Sequence, residues 1–331
     1  MRFFFLVNDT CAIAPTQTTA MLIAAAAKQH EVWVGGVADL SCHNDGQPWV
    51  WAKQVEPSAS DSCQRVVTAL STAPQTAIAL TRSQIDLWIM RTNPARDLDR
   101  SALHSAALTL AQRAEQLGVC VLNKPTGLLR AASKLYLLEL PAFTRPPTLV
   151  SPRREEIVEF IQQLDGPAVL KPLQGTRGND VFFIESATDA NLNQIIDVIL
   201  RQGLVMAQGC IPNAAAGDTR VVVMNGKILE TDGQAAAIRR VPKSGDFRSN
   251  IHAGGSAAPG AITDSMREVV SAIGPQLVQT GLFLVGLDFI GAQLLEVNVF
   301  STGGLRDAER FTGQAFASQV IEQMAAQLAC S

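Results

Sequence analysis

Long apolar runs are missing from this sequence. No run of 18 apolar residues occurs, so no segment reads as a membrane-spanning helix. The opening MRFFFLV meets Asn8 and Asp9 within a few residues, too soon for the core of a signal peptide. Both absences lead to the expectation of a cytoplasmic protein. A positive excess is missing as well: 27 Lys and Arg stand against 30 Asp and Glu, a formal net charge of −3. That balance argues against nucleic acid and against an anionic membrane as partners, since both attract basic surfaces. Cysteine pairs are absent too. Cys11, Cys42, Cys63, Cys120, Cys210 and Cys330 form no CxxC and no zinc-finger spacing, so they read as reduced thiols. No GxGxxG follows the first strand-like run, so no dinucleotide cofactor is suggested.

What is present describes a globular chain with sizeable cores. Its 331 residues are 47% hydrophobic and 17% charged, enough for two or three domains. FFFLV, EVWVGGV, QIDLWIM and VCVLN read as strands. TTAMLIAAAAKQH and SALHSAALTLAQRAEQLG, the latter closed by Gly118, read as helices between them. Strands alternating with helices predict an open parallel α/β domain over residues 1–122. A small α+β unit follows over 123–203. It holds the short helix RAASKLYLLEL ended by Pro141, the amphipathic helix REEIVEFIQQL, and the strands AVLKPL and DVFFIES joined by the loop QGTRGN. Residues 204–331 make a third unit, with the strands LVMAQGCI and TRVVVMNGKILE and then a loop rich in Arg and Gly. The helix DSMREVVSAIGPQLVQTG, a hairpin and a last helix complete it.

The hairpin, GLDFI and LLEVNV around a Gly-Ala-Gln turn, carries the most informative polar residues. With the turn near Ala292, Asp288 falls opposite Glu296, and Asn298 shares the face of Glu296 because side chains alternate with period two. Facing carboxylates repel, and burying them unpaired is costly. A divalent cation such as Mg²⁺, which takes oxygen ligands, would relieve both problems. A hairpin with one wet face would carry the same pattern, and both readings stand at this point.

Anion-binding candidates lie elsewhere in the chain. Lys171 ends a strand just before a loop holding Gly175 and Gly178, an arrangement able to present N–H groups and a point charge to phosphates. Lys134 lies in the short helix, where a surface role is the plain alternative. Arg220 enters the apolar strand RVVVM, and Arg239, Arg240, Lys243 and Arg248 crowd a segment balanced only by Asp246. That segment is either a solvated loop or an anion-binding loop that caps a site.

The order of these features resembles the ATP-grasp superfamily and, within it, the bacterial glutathione synthetases. NKP at 123–125, LKPL at 170–173, MAQGCIP at 206–212, GDTRVVV at 217–223, RRVP at 239–242, FLVGLDFIG at 283–291 and LEVNV at 295–299 carry the resemblance over nearly the whole chain. MRTNP at 90–94 matches an N-terminal segment of the same family. The resemblance implies an ATP-grasp fold: an N-terminal parallel-sheet domain, a small α+β lid and a C-terminal α+β domain, with ATP between the last two. It implies that Lys134, Lys171, Gly175, Gly178 and Gln208 bind ATP. Asp288, Glu296 and Asn298 would hold Mg²⁺, with Mn²⁺ as the alternative cation, and Arg220 and Arg240 would work at the reacting centre. Arg91, Arg248, Asn250, Ser301, Thr302, Gly303 and Gly304 would face the substrates.

The implied activity is a carboxylate–amine ligation through an acyl phosphate, joining γ-glutamylcysteine to glycine with ATP. Segments 171–185 and 239–256 would close over the site to exclude water. QGTRGND, FSTGGLRDAE and MRTNPARD differ from the family's usual wording, so a ligase for another acyl or amine substrate stays open. A nucleotide-binding module without catalysis also stays open. Family members are commonly homo-oligomers, but no surface in the sequence marks an interface.

Overall fold

A computed structural model describes residues 1–60, 62–173, 180–212, 214–242 and 255–328. Three sheets organise them. The first is built by β1 (Arg2–Val7), β2 (Glu31–Gly36), β3 (Leu40–Cys42), β4 (Pro48–Val55), β5 (Gln75–Ala79), β6 (Leu87–Met90) and β7 (Cys120–Leu122). Its strand order is β3-β4-β2-β1-β6-β7, with β5 also pairing β4. The β2-β1-β6-β7 part is parallel, as the alternating pattern predicts. The other part is antiparallel, which corrects the expectation of a purely parallel sheet. The sequence reading places no strand between EVWVGGV and QIDLWIM, yet PWVWAKQV in β4 alternates buried with more open positions, the mark of an outer strand with one wet face.

Helices α1 (Thr18–Ala26), α2 (Cys63–Thr72) and α3 (Ser101–Gln116) pack on this sheet. Almost every residue of α1 is buried, because its alanines let it lie close against both the sheet and the C-terminal helix. Two short helices follow, α4 (Pro125–Arg130) and α5 (Tyr136–Glu139). Lys134 lies in the turn just before α5 rather than on a helix, since the helical turn starts only at Tyr136.

The second sheet is wholly antiparallel, in the order β10-β9-β11-β8. It comprises β8 (Thr148–Ser151), β9 (Ala168–Pro172), β10 (Phe182–Ile184) and β11 (Val205–Gly209), backed by α6 (Arg154–Gln163) and α7 (Leu192–Leu200). Ile157, Ile161, Ile196 and Ile199 from these two helices meet Leu170 and Val205 in a small separate core.

The third sheet runs β17-β16-β12-β18-β19, with a short strand also pairing β12. The strands are β12 (Asp218–Met224), its hairpin partner β13 (Lys227–Ile228), β14 (Glu230–Thr231), β15 (Gln234–Ala235), β16 (Ala237–Val241), β17 (Ser256–Pro259), β18 (Leu284–Ile290) and β19 (Gln293–Asn298). Among the described residues β14 and β15 pair only with each other. The Arg-rich segment read as a loop is therefore strand β16 up to Val241, held between β12 and β17. Helix α8 (Asp264–Thr280) covers the sheet with Val270, Ile273 and Leu277. The Thr263 hydroxyl caps its start by accepting from the Met266 N–H, and Gly281 ends it at φ 78°, a left-handed conformation natural to glycine. The last helical pattern divides into α9 (Leu305–Thr312) and α10 (Phe316–Gln327), because Gly313 at φ 74° closes α9. Among the described residues no helix is long and apolar enough to cross a membrane.

Candidate active site

Four neighbouring strands of the third sheet bring the charged residues together. Cross-strand register places Arg220 of β12 beside Asp288 of β18, Asp218 of β12 beside Arg240 of β16, and Asp288 beside Glu296 of β19. The opposition of Asp288 and Glu296 is the one the hairpin pattern predicts. Arg220 grips Asp288 with both arms of its guanidinium, Nε to Oδ1 at 2.7 Å and Nη2 to Oδ2 at 2.6 Å. Arg240 reaches Asp218 in the same forked manner and also lies 2.7 Å from Asp288 Oδ2. The Asn298 amide donates to Asp288 Oδ2 at 3.1 Å. Burial alone would raise the Asp288 carboxyl, but the Arg220 and Arg240 guanidiniums outweigh it and hold Asp288 at about 2. Burial likewise works against the Arg240 cation, and Asp288 and Asp218 reverse that effect and hold it above its usual range.

A second cluster faces this one across the hairpin. The Lys134 Nζ lies 3.7 Å from Glu296 Oε1, and its backbone N–H donates to the Leu173 carbonyl just past β9. Lys171 of β9 is buried, and loss of solvent together with the nearby Lys134 charge pushes it down to about 8, against the pull of Glu296. Gln208 of β11 shares the face of Lys171, because Lys171 pairs with Met206 and Val169 with Gln208. Its amide donates to the Thr148 hydroxyl. The structure thus gathers Lys134, Lys171, Glu296, Asp288, Asn298, Arg220 and Arg240 where the second sheet meets the third. Gly175, Gly178, Arg248 and Asn250 lie outside the described residues, as do 174–179 and 243–254 of the two segments expected to close over the site.

Among the described residues no group of three or more His, Cys, Asp or Glu side chains is placed to hold a metal. The set available is two carboxylates, Asp288 and Glu296, with the Asn298 amide. Hard oxygen donors of this number suit Mg²⁺, which usually keeps only one or two protein carboxylates and completes its shell with water and phosphate.

The loop Ser301–Gly304 joins β19 to α9, whose first turn is preceded by Gly304 at φ 111°. Arg91, just past β6, is buried at 4% exposure and donates to the Thr302 carbonyl at 2.8 Å and to the Thr19 hydroxyl at 3.3 Å. Arg91 therefore ties the N-terminal domain to this loop. Burial pushes its guanidinium down to about 10.

Two residues of the site went unassigned in the sequence. Asn123, just past β7, accepts from the Leu284 N–H and donates to the carbonyls of Leu284 and Val299, bracing the base of the hairpin. Asp218 anchors Arg240. The visible signal for Asp218 was its place two residues before Arg220 on one strand, which puts both on one face.

Comparison with known proteins identifies the family. Residues 1–129 match the N-terminal domain family of prokaryotic glutathione synthetases, and residues 133–313 match the ATP-grasp domain of the same enzymes. The glutathione synthetase of Synechococcus elongatus is 35% identical, covering 98% of each chain. That of Nitrosomonas europaea is 31% identical, covering 98% of this chain and 97% of the relative. Among solved structures, D-cycloserine synthetase DcsG aligns with a TM-score of 0.63 at 16% identity, covering 97% of this chain and 99% of that one. The ATP-grasp ligase PsnB, complexed with a phosphomimetic variant of its minimal precursor, Mg and ADP, aligns with a TM-score of 0.60 at 18% identity over 98% of both chains. These two likenesses establish the shared fold. The chain belongs to the prokaryotic glutathione synthetase family, ATP-grasp ligases that use ATP with a divalent metal.

Proposed function

We propose that this chain joins γ-glutamylcysteine to glycine, consuming ATP and releasing ADP and phosphate. The observation that carries the reading is the meeting of Lys171 and Lys134 with the Asp288–Glu296 hairpin and with Arg220 and Arg240 at one junction between sheets. A carboxylate is a poor acyl donor, so the γ-phosphoryl group of ATP is first transferred to it, and the amine then displaces phosphate from the acyl phosphate. Lys134 and Lys171 are suited to neutralising the triphosphate during transfer. Arg220 and Arg240 are suited to stabilising charge on the acyl phosphate oxygens and then on the tetrahedral oxyanion. Asp288, Glu296 and Asn298 would hold Mg²⁺, or Mn²⁺ in its place, whose charge offsets that of the β- and γ-phosphates.

The loop Ser301–Gly304, with Arg91 behind it, offers backbone N–H groups at the start of α9 to an anionic group of a substrate. Arg248, Asn250 and the glycines of 174–179 belong to the same reading through the family resemblance. The division into residues 1–122, 123–203 and 204–331 finds support in the three sheets at its first boundary, whereas β11 (Val205–Gly209) pairs within the second sheet and favours a second boundary after Gly209. Cytoplasmic residence follows from a substrate, ATP, that the cytoplasm supplies. A homo-oligomer is proposed on family resemblance alone.

The test is phosphate release with ATP, Mg²⁺, γ-glutamylcysteine and glycine, each omitted in turn. Release that requires all four, with glutathione formed, is the expected outcome. ATP binding without such release would move the activity to another acyl or amine substrate.

A further inference from the structure

The four charges on β12, β16 and β18 do not share their partners equally. Asp218 and Asp288 supply two carboxylates, and Arg220 and Arg240 two guanidiniums. Arg240 holds both: its fork sits on Asp218, and its Nη2 also reaches Asp288 Oδ2 at 2.7 Å. Arg220 has Asp288 as its one carboxylate partner among the described residues. All four side chains are at most 14% exposed, so water cannot substitute freely for a lost partner.

Asp288 Oδ2 is already crowded: it accepts from Arg220, Arg240 and Asn298, while among the described residues Oδ1 accepts from Arg220 Nε alone. A cation that engages Asp288 through Oδ2 must therefore displace a donor. If Arg240 gives way it still has Asp218. If Arg220 gives way it keeps no carboxylate among the described residues, and its aliphatic stem already lies against Gly304, at the start of α9.

We propose that Asp218 is a positioning residue that anchors Arg240, and that Arg220 is the arginine that exchanges Asp288 for an anionic substrate group when the divalent cation engages Asp288. This rests on the reading of Asp288 as a metal ligand. It divides the work of the two arginines. Arg240 stays fixed by Asp218 at the reacting centre, and Arg220 is delivered there only once cation and nucleotide are in place. Without the cation, Arg220 and Asp288 neutralise each other.

The test is Mn²⁺ binding to the full-length protein in the presence of ADP, followed by electron paramagnetic resonance of free Mn²⁺, which needs neither acyl nor amine substrate. Arg220→Gln removes the competing cation, so Mn²⁺ is expected to bind at least about tenfold more tightly while turnover collapses, since even a charge about 10 Å away at an effective dielectric of about 20 is worth that much. Asp218→Asn releases Arg240 to compete for Asp288, so Mn²⁺ is expected to bind roughly tenfold more weakly. Asp218→Glu keeps the carboxylate and should stay within about threefold of the parent protein by the same reasoning. A merely structural role for these residues would weaken binding in both Arg220→Gln and Asp218→Asn. Unchanged or weaker binding in Arg220→Gln would overturn the exchange, and unchanged binding in Asp218→Asn would overturn the anchor. Parent protein that binds Mn²⁺ with ADP and shows the opposed shifts, yet forms no glutathione, would overturn only the substrate assignment.

Discussion

The Arg91 guanidinium donates to the Thr302 carbonyl at 2.8 Å, across 211 positions of sequence. The N-terminal domain and the Ser301–Gly304 loop are thereby held together by one buried side chain. Hydrogen bonds from charged donors contribute about 1.5–3 kcal/mol, because the partner left behind is desolvated and unpaired. Arg91→Ala should therefore lower unfolding free energy by about 2 kcal/mol in urea. It should also slow turnover, since the loop Ser301–Gly304 loses its tether. Unchanged stability would show that the contact is not maintained in solution.

Glu296 tests the metal assignment separately from the fold. Its side chain is 37% exposed and its ion pair with Lys134 spans 3.7 Å, so the pair contributes at most about 1 kcal/mol to stability. Glu296→Ala should melt close to the parent temperature. Turnover should fall by at least about a hundredfold, the usual scale for deleting one electrostatic contributor to a transition state. Normal turnover in the folded variant would remove Glu296 from the metal site.

Lys171 predicts a proton linkage. Burial and Lys134 push its ammonium from 10.5 down to about 8. Phosphate oxygens favour the charged form, so ATP binding raises that value again. Between pH 8 and 10.5, nucleotide binding should take up a fraction of a proton, and ATP affinity should fall as pH rises through 8. Calorimetry in buffers of different ionisation enthalpy reads the uptake directly, and Lys171→Met should abolish it. Stability carries the opposite sign. The unfolded chain binds the proton more tightly, so the cost of burying charged Lys171 is fully present below pH 8 and disappears as pH climbs towards 10.5.

Gly286 has no room for a side chain. A Cβ placed there would lie 2.1 Å from Thr302 Oγ1, and Thr302 is itself 2% exposed. Gly286→Ala should cost about 1–3 kcal/mol, the scale of overpacking in a tight interior, and should reduce turnover because Asn298 pairs with Gly286 in register. Adding Thr302→Ala to it removes the clashing hydroxyl and should recover part of the loss. A double variant whose losses simply add would rule out the contact as the cause.

Some of this architecture was legible residue by residue. Period-two alternation with a turn near Ala292 anticipated Asp288 opposite Glu296 and Asn298 on the same face. The structure reaches that pairing through a register shift between Asp288 and Phe289, since the strands first pair Ile290 with Gln293 and Phe289 with Leu294. The alternation of strands and helices up to VCVLN likewise gave the parallel core of the first sheet, and Gly118 and Gly281 marked helix ends through the backbone freedom that only glycine has. Strands β3, β4 and β5 were not legible, since outer strands with one wet face carry too weak a hydrophobic signal to separate from loop. Arg240 looked like part of a loop because its strand is short and charged.

Sequence by itself determined the kinds of groups and their local spacing: two lysines, two arginines, two carboxylates and an amide, most of them on a strand that could be named, though not Lys134 or Arg240. Only the tertiary structure decided their partners. Arg220 finds Asp288 across 68 positions, Asn123 braces Leu284 across 161, and Arg240 divides itself between Asp218 and Asp288. Which strands lie side by side is fixed by burying whole faces of sheets and helices at once, and that collective packing is not written in the period of any single segment.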